Sequence, residues 1–213
     1  MTRKFLFAAP LAALLLAACT AKPAAETPTG SASSSLAGVA TKVLVGDHEG
    51  MSFELSEGGS AYGLYGPMPG YSMSPETCAS SELPNYIASS YASTDAGEIS
   101  IGLTNGAALA KLRDFATRCA TFEATRGDQT TTKHVALADI TVDGLDEAVI
   151  STISSETVDA AALASTPPDT FALTGKVGDV VVTVEAFTVT GQELSALELA
   201  KKALTAQAAA LKG

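Results

Sequence analysis

Chemistry near neutral pH needs groups that trade protons, attack a substrate or hold a metal, and few residues in this chain qualify. There are two histidines, His48 and His134, and histidine is the side chain whose unperturbed pKa falls in that range. Asp47-His48-Glu49 sets three metal-competent types in a row. Consecutive residues of an extended chain point to opposite sides, so the run reads as a solvated turn. His134 follows Lys133 in an alternating segment and reads as an exposed strand residue. Asp139, Asp143, Asp146 and Glu147 form an acidic cluster without the Asp-x-Asp-x-Asp-Gly spacing and distant Glu of a calcium loop. They read as a charged turn leading into a strand. The chain has no Gly-x-Ser-x-Gly elbow and no glycine-rich phosphate loop, the signatures of hydrolase and nucleotide chemistry. These patterns assign no catalytic residue, no metal site and no cofactor, and the expectation is a protein that is not an enzyme.

The three cysteines say more. Cys19 closes the stretch Leu14-Leu15-Leu16-Ala17-Ala18-Cys19. Arg3 and Lys4 precede the apolar run Phe5–Leu16, and the small Ala17 and Ala18 follow it. A charged start, a short apolar run and a small-residue cleavage site make a secretory signal. The run falls short of the roughly 20 residues that span a bilayer as a helix. Leu16-Ala17-Ala18-Cys19 resembles the bacterial lipobox. That resemblance implies removal of residues 1–18, acylation of Cys19, and attachment to the outer face of the cell membrane through the lipid. Residues 19–35 are rich in Ala, Pro, Thr, Ser and Gly. They bury too little apolar surface to offset ordering and are expected to be a disordered tether.

Cys78 and Cys119 remain as an even pair in an exported domain, which argues for a structural disulfide. Their wide separation differs from the close Cys-x-x-Cys spacing of redox-active pairs.

Residues 36–213 are expected to form one domain, a length that supports a sizeable core. The mature chain from Cys19 carries 11 basic and 23 acidic residues, a net charge of −12. Such a chain is expected to bind no nucleic acid. Trp is absent and aromatics make up only 6%, which leaves few platforms for stacking sugars.

The elements follow from periodicity. Leu36–Val45 has helical spacing, although Val43–Val45 also suits a strand. Gly46–Gly50 reads as a turn. A Gly/Tyr-rich loop follows over Gly58–Tyr71. Its glycines allow close backbone approach, and Tyr62, Tyr65 and Tyr71 offer broad faces with polar tips. These tyrosines are the candidate ligand-binding residues; the alternative is that they simply pack down over the sheet. Ser74 and Pro75 suit the start of a short helix. Glu98–Leu103 alternates as a strand. Ala107–Glu123 is expected to be a helix with Leu109, Leu112, Phe115, Ala116, Cys119 and Phe122 on one stripe. Thr131–Leu137, Glu147–Ser154, Phe171–Val177 and Val180–Val189 read as strands, the last two joined by Gly178-Asp179. Thr190-Gly191-Gln192-Glu193 reads as a capping box opening a helix with Leu194, Leu197, Leu204, Ala208 and Leu211 on one side. The expected fold is a single-domain α+β structure, a largely antiparallel sheet with helices packed on one face and one disulfide.

The segments Leu112–Thr125, Val142–Thr152 and Phe171–Thr188, followed by the helix Glu193–Leu211, together resemble actinobacterial lipoproteins. They are similar in particular to the extracellular sensor domain of the mycobacterial kinase PknH. The resemblance covers roughly Pro75–Leu211. It implies a sensor-like or ligand-binding domain with a cleft and without established catalysis. The expected partner is an unknown small ligand or, on the alternative reading of an interaction or structural lipoprotein, another envelope protein.

Overall fold

Central strands of this sheet are buried on both sides, so their sequences read as continuous β-branched runs. In the computed structural model, which describes residues 38–56, 70–79 and 86–213, ten strands form one antiparallel sheet. They are β1 (Gly46–His48), β2 (Met51–Leu55), β3 (Ser72–Ser74), β4 (Ala88–Thr94) and β5 (Gly97–Asn105), then β6 (Thr121–Arg126), β7 (Gln129–Ile140), β8 (Glu147–Ser154), β9 (Thr170–Val177) and β10 (Val180–Thr188). Among the described residues, α1 (Ala108–Arg118) and α2 (Glu193–Lys212) are the long α-helices, and residues 38–40 are also helical. The spatial order is β1-β2-β4-β5-β10-β9-β8-β7-β6-β3. After the β4–β5 hairpin the chain crosses through α1 to β6. It then returns as a meander from β6 to β10, which closes beside β5.

Side-chain alternation divides the core in two. Ile99, Ile101, Val182, Val184, Phe171, Leu173 and Ile150 point to one face, where Leu197, Ala200 and Leu204 of α2 cover them. Val181, Val149, Val135 and Leu137 point to the other, under Leu109, Leu112 and Phe115 of α1. The expected placement of the helices on one face is therefore corrected: each helix takes a different face. Adjacent residues such as Val149 and Ile150, or Val181 and Val182, belong to different clusters, as the period of two in a strand requires. The alternation of Val182, Val184 and Ala186 marks the α2 side, while Val181 and Glu185 are buried on the other.

The helix expected over Ala107–Glu123 ends five residues early. The amide of Cys119 donates to the Phe115 carbonyl at 2.8 Å as the last helical bond. Thr121–Arg126 then alternates between exposed and buried positions as β6. Phe122 is buried as its stripe position implied, but from a strand, with its ring 6.3 Å from that of Phe115. The disulfide joins Cys78 to Cys119, both fully buried, with a Cα–Cα distance of 5.7 Å. It ties the 3-10 turn Glu76–Cys78, which begins after Pro75 as its N-cap, to the end of α1.

Gly46–Gly50 is a strand plus a hairpin turn rather than a turn alone. Glu49 and Gly50 have φ of 52° and 80°, the left-handed pair that a type I′ hairpin requires. Val43 and Leu44 are buried without joining the sheet. Gln207 of α2 holds them: its side-chain oxygen accepts from the Leu44 amide at 2.9 Å, and its amide donates to the Lys42 carbonyl at 2.8 Å. This fully buried side chain thus satisfies backbone groups that have no strand partner. At the start of α2 the expected Thr190–Glu193 capping box does not form, because the helix begins at Glu193 itself. Glu193 accepts from the Gly191 amide at 2.6 Å, but the N-cap is Gln192 and makes no side-chain bond.

Candidate functional site

His48 ends β1 and lies with Nε2 3.1 Å from the Val45 carbonyl oxygen. His134 lies on β7, where Nδ1 is 3.4 Å from the Thr121 hydroxyl. Six strands separate β1 from β7 in the sheet, so the fold does not bring the two histidines to one site. Among the described residues no group of three or more His, Cys, Asp or Glu side chains is arranged to hold a metal.

The acidic cluster has structural partners. Arg113 of α1 donates to Asp139 at 2.6 Å and to Glu147 through both Nε, at 2.9 Å, and a terminal nitrogen, at 2.6 Å. The Asp139 carboxylate, foremost, holds the guanidinium pKa above its usual value. Asp146 accepts from the Gly178 amide at 3.0 Å and so braces the β9–β10 turn. The carboxylates thus pin α1 to β7 and β8.

Of the candidate ligand-binding tyrosines, Tyr62 and Tyr65 lie outside the described residues, as do Cys19 and the tether. Tyr71 immediately precedes β3, is 37% exposed, and lies under the guanidinium of Arg126 at 5.5 Å from its ring centroid.

Two of the surface concavities are formed wholly by described residues. The larger, about 850 Å³, is an open groove between the tips of the β1–β2 and β4–β5 hairpins and the first turns of α2. Met51 and Ala96 belong to its buried wall, Asp95, Glu198 and Lys202 supply charge, and Leu194 stands at its rim. Leu194 is 59% exposed, which corrects its expected place on the buried side of α2. The Val189 amide donates to the Ala96 carbonyl at 2.9 Å, which sets a second exposed apolar residue, Val189, next to this wall. The smaller concavity, about 520 Å³, is polar and is lined by Lys133, Ser154, Glu156 and Asp169 among others.

Compared with protein-family models, with curated proteins and with solved structures, the chain matches none.

The α1 face of the sheet holds the most unusual polar group. Glu185 sits on the central strand β10 with 5% exposure, and Tyr86 donates its hydroxyl to that carboxylate at 2.7 Å. The Tyr86 ring occupies the space above Gly102 of β5, where a Cβ would meet ring carbons at 2.3 Å. Glu185 pairs with Ala172, and Ala172 with Ser151, across the ladder. The Ser151 hydroxyl is fully buried and makes no hydrogen bond. Sequence reading missed this arrangement. Its signal was a lone Glu inside Val182-Thr183-Val184-Glu185-Ala186-Phe187, where alternation places residue 185 opposite Val184 and Ala186.

Proposed function

We propose that the protein is a lipid-anchored, extracytoplasmic membrane protein whose domain over residues 36–213 is a non-catalytic sensor or ligand-binding module. The observation that carries this reading is the buried Cys78–Cys119 disulfide, a bond that persists in oxidising compartments. It occurs in a chain whose apolar leader ends in Leu-Ala-Ala-Cys. The likeness of Pro75–Leu211 to PknH-type sensor domains supports binding as the role. The tether, residues 19–35, would let a membrane-held domain search for its partner at an effective concentration set by tether length. The open groove lined by Met51, Asp95, Leu194 and Lys202, about 850 Å³, has the volume to receive a small ligand.

A second reading, an interaction or structural lipoprotein, is favoured by the exposed Leu194 and Val189 at 59% and 53%, because apolar side chains grouped at a surface mark protein contacts.

Cell fractionation tests the anchor. Cys19→Ala should prevent acylation and move the protein out of the membrane fraction. Recovery of the variant wholly with membranes would contradict the proposal.

A further inference from the structure

The β6–β7 hairpin carries Arg126-Gly127-Asp128 across its tip, with Arg126 paired to Gln129 and only Gly127 and Asp128 in the turn. All three residues are exposed. Gly127 has φ of 59°, the positive value that both common hairpin turns need at their first central position. A Cβ built on it would meet nothing within 4 Å, so the tip stands clear of the body. The neck is braced by a hydrogen bond between the Thr125 and Thr130 hydroxyls at 2.9 Å. One strand further out, Arg126 lies over the Tyr71 ring at 5.5 Å, a cation–π contact that restricts the guanidinium without neutralising it. Asp128 has no hydrogen bond or ion pair among the described residues. An unpartnered carboxylate and a guanidinium held over an aromatic ring thus flank one glycine on a hydrogen-bonded hairpin whose neck also pairs with β3.

We propose that this tip is a docking element for a protein receptor that pairs an acidic pocket with a bound divalent cation. The acidic pocket takes the planar guanidinium of Arg126, which offers a fork of donors to carboxylates. The Asp128 carboxylate completes the coordination of the cation, a hard oxygen ligand for Mg²⁺ or Ca²⁺. Presentation on a hairpin lowers the ordering cost that a flexible Arg-Gly-Asp peptide meets on binding. The molecule holds its own comparison: the β9–β10 turn is also Gly-Asp, Gly178-Asp179, with Gly178 at φ of 56°. There the preceding residue is Val177, which is buried, so the same turn offers the carboxylate without the guanidinium. The outward display proposed above supplies the setting for such contact. The binding assay does not involve Cys19, so the two readings fail separately.

The test is binding of the intact protein to the immobilised ectodomain of an Arg-Gly-Asp-binding integrin in the presence of Mn²⁺. We expect saturable binding, abolished by EDTA and displaced by a linear Arg-Gly-Asp peptide but not by its Arg-Gly-Glu analogue. Asp128→Glu should weaken affinity by about tenfold or more at unchanged melting temperature, and Asp179→Glu should leave it unaltered. No binding, binding indifferent to Asp128→Glu, or equal losses from both aspartate variants would overturn the proposal.

Discussion

Gln207 and Arg113 both join a helix to another segment, and burial separates their weights. Gln207→Leu removes the partners of the Leu44 amide and the Lys42 carbonyl. A buried backbone group left unpaired costs about 1–3 kcal/mol, so chemical denaturation should show a loss on that order. Arg113 keeps 34% of its side chain exposed, and exposed pairs are worth roughly 0–1 kcal/mol. Arg113→Ala should therefore lower stability by at most about 1 kcal/mol in the same assay. Gly102→Ala drives a methyl into the Tyr86 ring. Tyr86→Phe removes the hydroxyl that donates to Glu185, and a hydrogen bond lost at a buried polar group costs about 1–3 kcal/mol. Thermal melts should show both variants destabilised, and a Tyr86→Phe variant as stable as the parent would mean that this bond contributes nothing net.

Elements were legible where burial imposed one clear pattern. β8 and β10 stood out because runs such as Ala148-Val149-Ile150 and Val180-Val181-Val182 are buried on both sides and have no other use. β4, Ala88-Ser89-Ser90-Tyr91-Ala92-Ser93-Thr94, was not legible. Its small polar residues carry weak strand preference, and its place is secured by β5 through the ladder. β3 and β1, three residues each, are too short to show a period. The end of α1 was overrun because Phe122 continues the helical stripe by accident of spacing. Of the site candidates, the cysteine pair was legible from parity alone, whereas the groove and the Tyr86–Glu185 contact depend on chain segments far apart in sequence. The disulfide fastens the turn before β4 to α1 across a separation of 41 residues. A loop of that length corresponds to about 4 kcal/mol in the chain-entropy view. Cys119→Ser should lower the melting temperature clearly, and non-reducing peptide mapping of the parent should recover the Cys78–Cys119 cross-link. The Gly191 amide holds the Glu193 carboxyl below its usual pKa. Its contribution is present above the unfolded-state value and is lost as pH falls through the folded one. Glu193→Gln should thus flatten the acid limb of the stability curve.

At the scale of the whole molecule, a sheet covered on opposite faces by α1 and α2 leaves its turns and the α2 groove as the outward surfaces. An acidic chain with a net charge of −10 gains no attraction to anionic lipid, so the membrane attachment we propose depends on the acyl chains proposed for Cys19. The most direct measurement is the intact mass, under non-reducing conditions, of the protein extracted from membranes of its native host. The account predicts a chain that begins at Cys19, carries acyl mass on that residue, and is two hydrogens lighter for the Cys78–Cys119 bridge. A membrane-extracted chain that retains residues 1–18, or one with an unmodified Cys19 and free thiols at 78 and 119, would contradict it.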